Sequence, residues 1–402
     1  MQTILEPPSL QNYATDYFRS RCKPKSQHRV GMEVEHICVR TSDGQRIAYD
    51  TGDGCVLTLL DELQTSLGGE QVFRGDLLFG IEGDWGKVTL EPGNQIEWSS
   101  PARATSQELQ ADLDHWLLHF NTALRNNGVV AVSSGLDGTN IRRVPWIPKR
   151  RYDIMADHYR RNANVAHRAM LNTAGVHVSF DYADAQDWQR KFRALTVATP
   201  AAIALLANSP GRFRDQSFVA LRPVLWLEMD EQRSSLPNDV FSPDYSLERW
   251  ADWVTDRPAL LQEIEGTLHP GDKRSLSDAY EAHEGFDDVW KLQVGTIFTP
   301  VRSHSHLEVR TIDTQPDARL AAVPAFWVGL VSHEPTLNRV LDVLAEIQDE
   351  VTWRNLFYRA CRFGLEDAPI NQLAGTLLEL AREGLNAAEG RSDALATLAL
   401  RR

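Results

Sequence analysis

The sequence predicts an α+β protein, an antiparallel β-sheet covered by helices with a helical C-terminal region. Three observations predict it. Alternating apolar segments occur in pairs joined by turn signals, as hairpins require. The helical periodicities gather elsewhere instead of alternating with the strands, which sets aside a βαβ series. From Ala318 onward the pattern is almost entirely helical. No internal repeat, low-complexity tract or heptad run divides the chain, so 1–402 reads as one domain whose 318–402 part is mostly helical.

The elements follow in order. Residues 9–21 read as an entry helix and QHRVGMEVEHICVR as the first strand. Residues 71–99 are rich in Gly and alternating apolar positions, with turn signals at Gly83–Asp84 and Pro92–Gly93, and predict strands and hairpins. Thr105 and Glu108 have capping-box spacing ahead of Leu109, Leu113, Trp116, Leu117, Phe120 and Leu124, which predicts a helix over 106–127. GVHVSFDY (175–182) predicts a strand, and Asp184 opens a long helix through Leu206, kinked near Pro200. RPVLWLEMD (222–230) reads as another strand, 244–284 as mostly helical, and HSHLEVRTID (304–313) as a strand.

The chain has 402 residues, 42% hydrophobic and 24% charged, which sets aside disorder and fibrous classes. Cys22, Cys38, Cys55 and Cys361 are too scattered for a disulfide framework, so a reducing cytoplasm is the expected compartment. The opening MQTILEPPSL lacks a cationic stretch leading into an apolar one, so no signal peptide is expected. The longest apolar run, in TPAAIALLANSP, is short of the ~18 residues of a membrane span. A net charge of −13 argues against a nucleic-acid partner. The basic cluster Arg142, Arg143, Lys149, Arg150 and Arg151 reads as a solvated loop or a small-molecule phosphate contact. No Gly-rich phosphate loop is present, so any nucleotide is held another way.

The chemistry-bearing residues sit on strands. Glu33 and Glu35 are two apart in VGMEVEH, so both carboxylates face one side. Such a pair is either solvated or bridged by a hard cation such as Mg²⁺ or Mn²⁺. In TLEPGNQIEWSS, Glu91 lies at a hairpin end, and Gln95 and Glu97 return along the next strand on a shared face. His304, His306, Glu308 and Arg310 alternate with Leu307 and Val309, and His177 points away from Val176 and Val178. Singly, each has a solvent-facing or structural reading. Together, four strands presenting carboxylates, a histidine and an arginine to one cavity suit metal-assisted phosphoryl transfer from ATP. Replacing Glu97 or Glu308 by Gln is then expected to relieve repulsion and leave the metal-free fold as stable or more so.

GMEVE, TLEPGNQIEWS, RYDIMADHY, LLANSP, the stretch from Ser217 through Arg222, Trp226 and Asp230 to Arg233, TIFTPVR and HLEVRTIDTQP occur in this order. Over roughly residues 30 to 330 the chain thereby resembles the glutamate–cysteine ligases of family 2, which include plant-type enzymes and ligases of ergothioneine biosynthesis. The resemblance implies a glutamine-synthetase-like antiparallel sheet forming a cavity for ATP, metal and glutamate. It implies coupling of the glutamate γ-carboxylate to cysteine through an acyl phosphate. A ligase for another acid or amine, and a non-catalytic nucleotide-binding relative, are the alternatives. By the same resemblance Glu33, Glu35, Glu91, Glu97, His177 and Glu308 are candidate metal ligands. Arg310 and Arg233 are candidate catalytic residues, and Arg222, Arg302 and Gln95 candidate contacts to substrate or ATP. Thr299 replaces a proline usual in the family, and Lys291 stands near a usual histidine. The expected partners are small molecules alone, with no nucleic acid or membrane, for a monomer or homodimer.

Overall fold

The computed structural model describes residues 9–282, 286–390 and 392–398. The first eight residues, and with them most of the segment read for a signal peptide, lie outside the described residues, as do the last four of the C-terminal tail. Thirteen strands occur among the described residues: β1 (Val30–Arg40), β2 (Glu70–Arg74), β3 (Leu77–Gly83), β4 (Gly86–Leu90), β5 (Ile96–Ser99), β6 (Val129–Val132), β7 (Gly175–Phe180), β8 (Gly211–Phe213), β9 (Gln216–Phe218), β10 (Leu261–Ile264), β11 (Thr267–Pro270), β12 (Val301–Ser303) and β13 (Leu307–Asp313). Nine form one sheet in the order β12-β13-β7-β1-β5-β4-β3-β2, with β6 also paired to β1. Every strand pair in it is antiparallel.

Alternation along β1 divides the sheet into two faces. Met32 and Val34 point into the core with Val88, Trp98, Val176, Val178, Leu307 and Val309, all buried. The helix Ser106–Asn126 packs on this side, begun by the Thr105–Glu108 capping box the sequence predicts. The helix Ala322–Val331 crosses β1 and β7, and every one of its residues is buried, which its unbroken apolar sequence AVPAFWVGLV allows. The helix Ala185–Leu205 runs through Pro200. Proline has no N–H to offer the carbonyl four residues back, and the Trp353 indole donates to that Thr196 carbonyl instead, at 3.0 Å. The other face of the sheet carries Glu33 and Glu35.

Three sequence expectations are corrected. Arg222–Met229 is a helix, not a strand, with Pro223 in its first turn. Proline there suits a helix start, and VLWL is buried on nearly every side, so it shows no period to read. Within 244–284 the hairpin β10–β11 interrupts the helices, turning at Glu265 and Gly266 with φ of 49° and 72°. Paired positive φ values define this two-residue turn, and glutamate in the first place disguises it. His304–His306 form the turn between β12 and β13, so only Glu308 and Arg310 follow the predicted strand alternation.

Candidate active site

The register of the sheet brings the predicted carboxylates together. Glu35 pairs with Glu97 across β1 and β5, and Glu33 pairs with His177 across β1 and β7. On the next strands Glu308 lies opposite Ser179, and Arg302 opposite Glu308. The side chains therefore form one continuous row across five strands. His177 Nδ1 is 3.1 Å from Glu33 and 3.5 Å from Glu308, and its Nε2 is 3.8 Å from Glu35. Two overlapping triads, Glu33–His177–Glu308 and Glu35–Glu97–His177, each gather their ligand atoms within 4.8 Å.

Electrostatics divides the row in two. Burial pushes the Glu97 carboxyl up, and the charges of Glu33, Glu91 and Glu35 push it further, well above the carboxylate range. Burial, then Glu35, raises Glu91 to about 7. Burial also acts upward on Glu308, but Arg302 and Arg310 outweigh it and hold that carboxyl well below its usual range. Arg310 Nη1 donates to Glu308 at 2.7 Å, and Arg302 Nε also donates to it. One end of the row is thus short of positive charge even with Lys149 and Arg151 near Glu91, and the other is supplied with it. The oxygen-rich donor set at the short end fits a hard divalent cation.

A pH dependence follows. In the unfolded chain both glutamates titrate near the usual ~4.3. Groups whose pKa is raised on folding stabilise fully below that value and lose the contribution as pH climbs through the folded value. For Glu91 that window runs from about 4.5 to about 7. In excess EDTA the melting temperature should fall from about pH 4.5 to about pH 7, and Mg²⁺ should restore it at the upper end. A flat profile would mean that the row carries no such repulsion.

The remaining predicted residues take different places. Arg222 lies buried beneath β7, donating to the Arg310 and Ile312 carbonyls at 3.0 and 3.1 Å, 3.3 Å from His177 and 3.8 Å from Glu35. Gly175 leaves its space, since a Cβ there would stand 2.0 Å from Arg222 Nη2. The Glu35 carboxylate accepts from the Gly175 N–H at 2.5 Å. Gln95 is buried and braces the backbone around it. Its carbonyl accepts from Gly93 N–H at 2.8 Å, and its amide donates to Met170 and Thr173 at 3.0 and 2.9 Å. Arg233 is buried away from the row, donating to Pro258 and Thr296 beside Asp230. Its carbonyl accepts from the Phe298 N–H, in the 295–298 segment whose Gly295 carbonyl accepts from Arg151 and Arg302 at 3.1 and 3.4 Å.

Two residues of the basic cluster belong to the site. Arg142, Arg143 and Arg150 are exposed, as a solvated loop would have them. Lys149 and Arg151 turn inward, and both act electrostatically on Glu91. Lys149 lies 3.6 Å over the Phe79 ring, and burial, then Arg151, lowers it to about 8. Arg151 opens RYDIMADHY, whose Tyr152 is buried and donates from its hydroxyl to the Leu90 carbonyl, next to Glu91, at 3.2 Å. Lys291 is exposed and paired with Asp288, while Thr299 donates to the Val301 carbonyl at 2.7 Å. Among the described residues no helix is long and apolar enough to cross a membrane.

A sequence model described as glutamate–cysteine ligase family 2 matches residues 29–399. The chloroplastic glutamate–cysteine ligase of Medicago truncatula is 29% identical over 407 residues, covering 95% of this chain and 77% of its own. That of Arabidopsis thaliana is 28% identical over 392 residues, covering 92% and 72%. A crystal structure of glutamate–cysteine ligase from Francisella tularensis in complex with AMP is similar at a TM-score of 0.48 and 12% identity, covering 93% of this chain and 83% of that one.

Proposed function

The chain belongs to glutamate–cysteine ligase family 2 and is an ATP-dependent carboxylate–amine ligase, and on that premise we propose that it joins the γ-carboxylate of glutamate to the amine of cysteine. One observation carries the proposal. A row of carboxylates, Glu35 buried and Glu33, Glu91 and Glu97 half-buried, runs directly into a carboxylate gripped by two arginines, Glu308 between Arg302 and Arg310. Phosphoryl transfer needs both kinds of place, one for cations and one for fixed guanidinium groups.

Glu33, Glu35, Glu91, Glu97, His177 and Glu308 would hold Mg²⁺ or Mn²⁺. Such an ion, when bound, neutralises phosphate oxygens and lowers the barrier to transfer. The chain's own groups do the positioning. Glu308 fixes the Arg310 guanidinium, which also lies 5.9 Å from the Trp226 ring, and so holds it ready for charge spreading over the transferred phosphoryl group. Arg222 orients His177 and Glu35 from below. The substrate carboxylate attacks the γ-phosphorus and ADP leaves. The amine then attacks the acyl phosphate carbon, phosphate leaves with the C–O electron pair, and the amine proton passes to solvent or buffer. No protein nucleophile is required, which agrees with the buried state of Cys38, Cys55 and Cys361.

ADP release measured with pairs of amino acids tests the proposal. Release should require glutamate and cysteine together and should stop in excess EDTA. Turnover with glutamate and a different amine would move the assignment to the related ligase reading. Full turnover after verified metal removal would end the cation assignment.

A further inference from the structure

The turn between β12 and β13 gathers a second kind of donor. The His304 and His306 rings lie with centroids 4.1 Å apart, and the Ser305 hydroxyl stands 3.1 and 3.0 Å from their Nδ1 atoms. The His304 N–H closes the turn by donating to the His306 carbonyl at 3.0 Å. His304 Nε2 is 3.2 Å from Glu308 Oε2. One nitrogen of each histidine and one oxygen of Glu308 lie within 4.8 Å of one another.

We propose that His304, His306 and Glu308 form a separate site for a borderline divalent transition ion of the zinc, cobalt or nickel kind. Imidazole nitrogens favour these ions over magnesium, whose preference is for oxygen. The oxygens of Glu308 are already divided between two surroundings. Oε1 faces Arg310 and His177, and Oε2 faces Arg302 and His304. An ion at the turn takes the Oε2 side and leaves Oε1 to the carboxylate row.

Ser305 supplies the supporting contact that imidazole ligands need. A hydroxyl oxygen has two lone pairs, so it can accept from both Nδ1–H groups at once. Both Nε2 lone pairs are then free for the ion, and both rings are fixed in the tautomer that binds. Without an ion the Ser305 O–H donates to one ring nitrogen and its oxygen accepts from the other, so the same turn is stable in both states. Of the three, His306 also borders a cavity of about 210 Å³, whose lining includes Glu33. Arg302 opposes the ion electrostatically, but its Nη1 is anchored on the Gly295 and Ile297 carbonyls at 3.4 and 3.0 Å. It can release Glu308 without leaving its place.

The test is a Co²⁺ titration of tag-free, full-length protein kept saturated with Mg²⁺, read by equilibrium dialysis and visible absorption. The expected result is one Co²⁺ per chain that added Mg²⁺ does not displace, with a ligand-field spectrum showing nitrogen ligation. His304→Gln and His306→Gln should each weaken Co²⁺ at least tenfold, as loss of a ligand or its support does. Thermal melting separates lost binding from lost fold. If His306→Gln unfolds, His304→Gln on the half-buried turn decides alone. Co²⁺ that Mg²⁺ displaces, or affinity unchanged in the folded variants, would overturn the proposal and leave the turn as a hydrogen-bonded support for Glu308. The readout needs neither ATP nor amino acids, so it stands or falls separately from the ligase assignment.

Discussion

Arg310→Lys should lower kcat by on the order of 10²-fold or more while ATP affinity changes far less. Arginine here is held from two directions, by the Glu308 carboxylate at 2.7 Å and by the Trp226 ring. Its remaining N–H groups are therefore aimed without further reorganisation. Lysine keeps the charge and one ion pair but loses the planar fork, so it cannot contact Glu308 and a phosphoryl oxygen in fixed directions together. The benefit lost is greatest when charge spreads over the transferred group, so it falls on kcat. Steady-state kinetics with an ATP titration checks this. A variant that loses ATP binding but keeps kcat at saturation would place Arg310 in ground-state binding.

Glu97→Gln and Glu308→Gln should both remove most activity, each losing a carboxylate from the row, but they should move stability in opposite directions. Glu97 is held among like charges that drive its carboxyl upward, so a neutral amide relieves repulsion in the metal-free protein. Its melting temperature in EDTA near pH 8 should rise. Glu308 is the direct partner of Arg302 and Arg310, and the amide removes that paired charge, leaving them only the weaker pull of Glu33 and Glu35. Breaking buried pairs of this kind costs about 3–5 kcal/mol. The expectation that the substitution spares the fold is therefore kept for Glu97 and replaced, for Glu308, by an expected loss of stability. Paired melting curves decide it, and equal shifts in both variants would contradict the charge division described above.

The legible part of the site was the part governed by the two-residue period of a strand. GMEVE puts Glu33 and Glu35 on one face regardless of what surrounds it, and LEVR does the same for Glu308 and Arg310. What the local pattern does not contain is the neighbour. Gln95 shares its strand approach with Glu97, yet its partners are carbonyls at 170 and 173. Lys149 turns inward because Phe79 receives it, and Arg151 because the carbonyl of Gly295 does. Arg222 reads as a strand residue until the surrounding buried helix is known. In each case a contact distant in sequence overrides the local signal.

The order of the strands also bears on how the chain is made. Glu33 on β1 and Glu308 on β13 are separated by about 275 residues, with only β7 between them in the sheet. At about 5–20 residues per second, a ribosome needs roughly 14–55 s to supply the second after the first. During that interval β1, β5 and β7 can pair, but Arg302 and Arg310 do not yet exist. The nascent half-sheet therefore holds its acidic row without its arginines, and the β7 edge awaits β13 with its hydrogen-bonding groups open. A chain released early would carry that open edge, an available template for pairing with another chain. Cations or a chaperone covering β7 would serve the growing polypeptide before any substrate could.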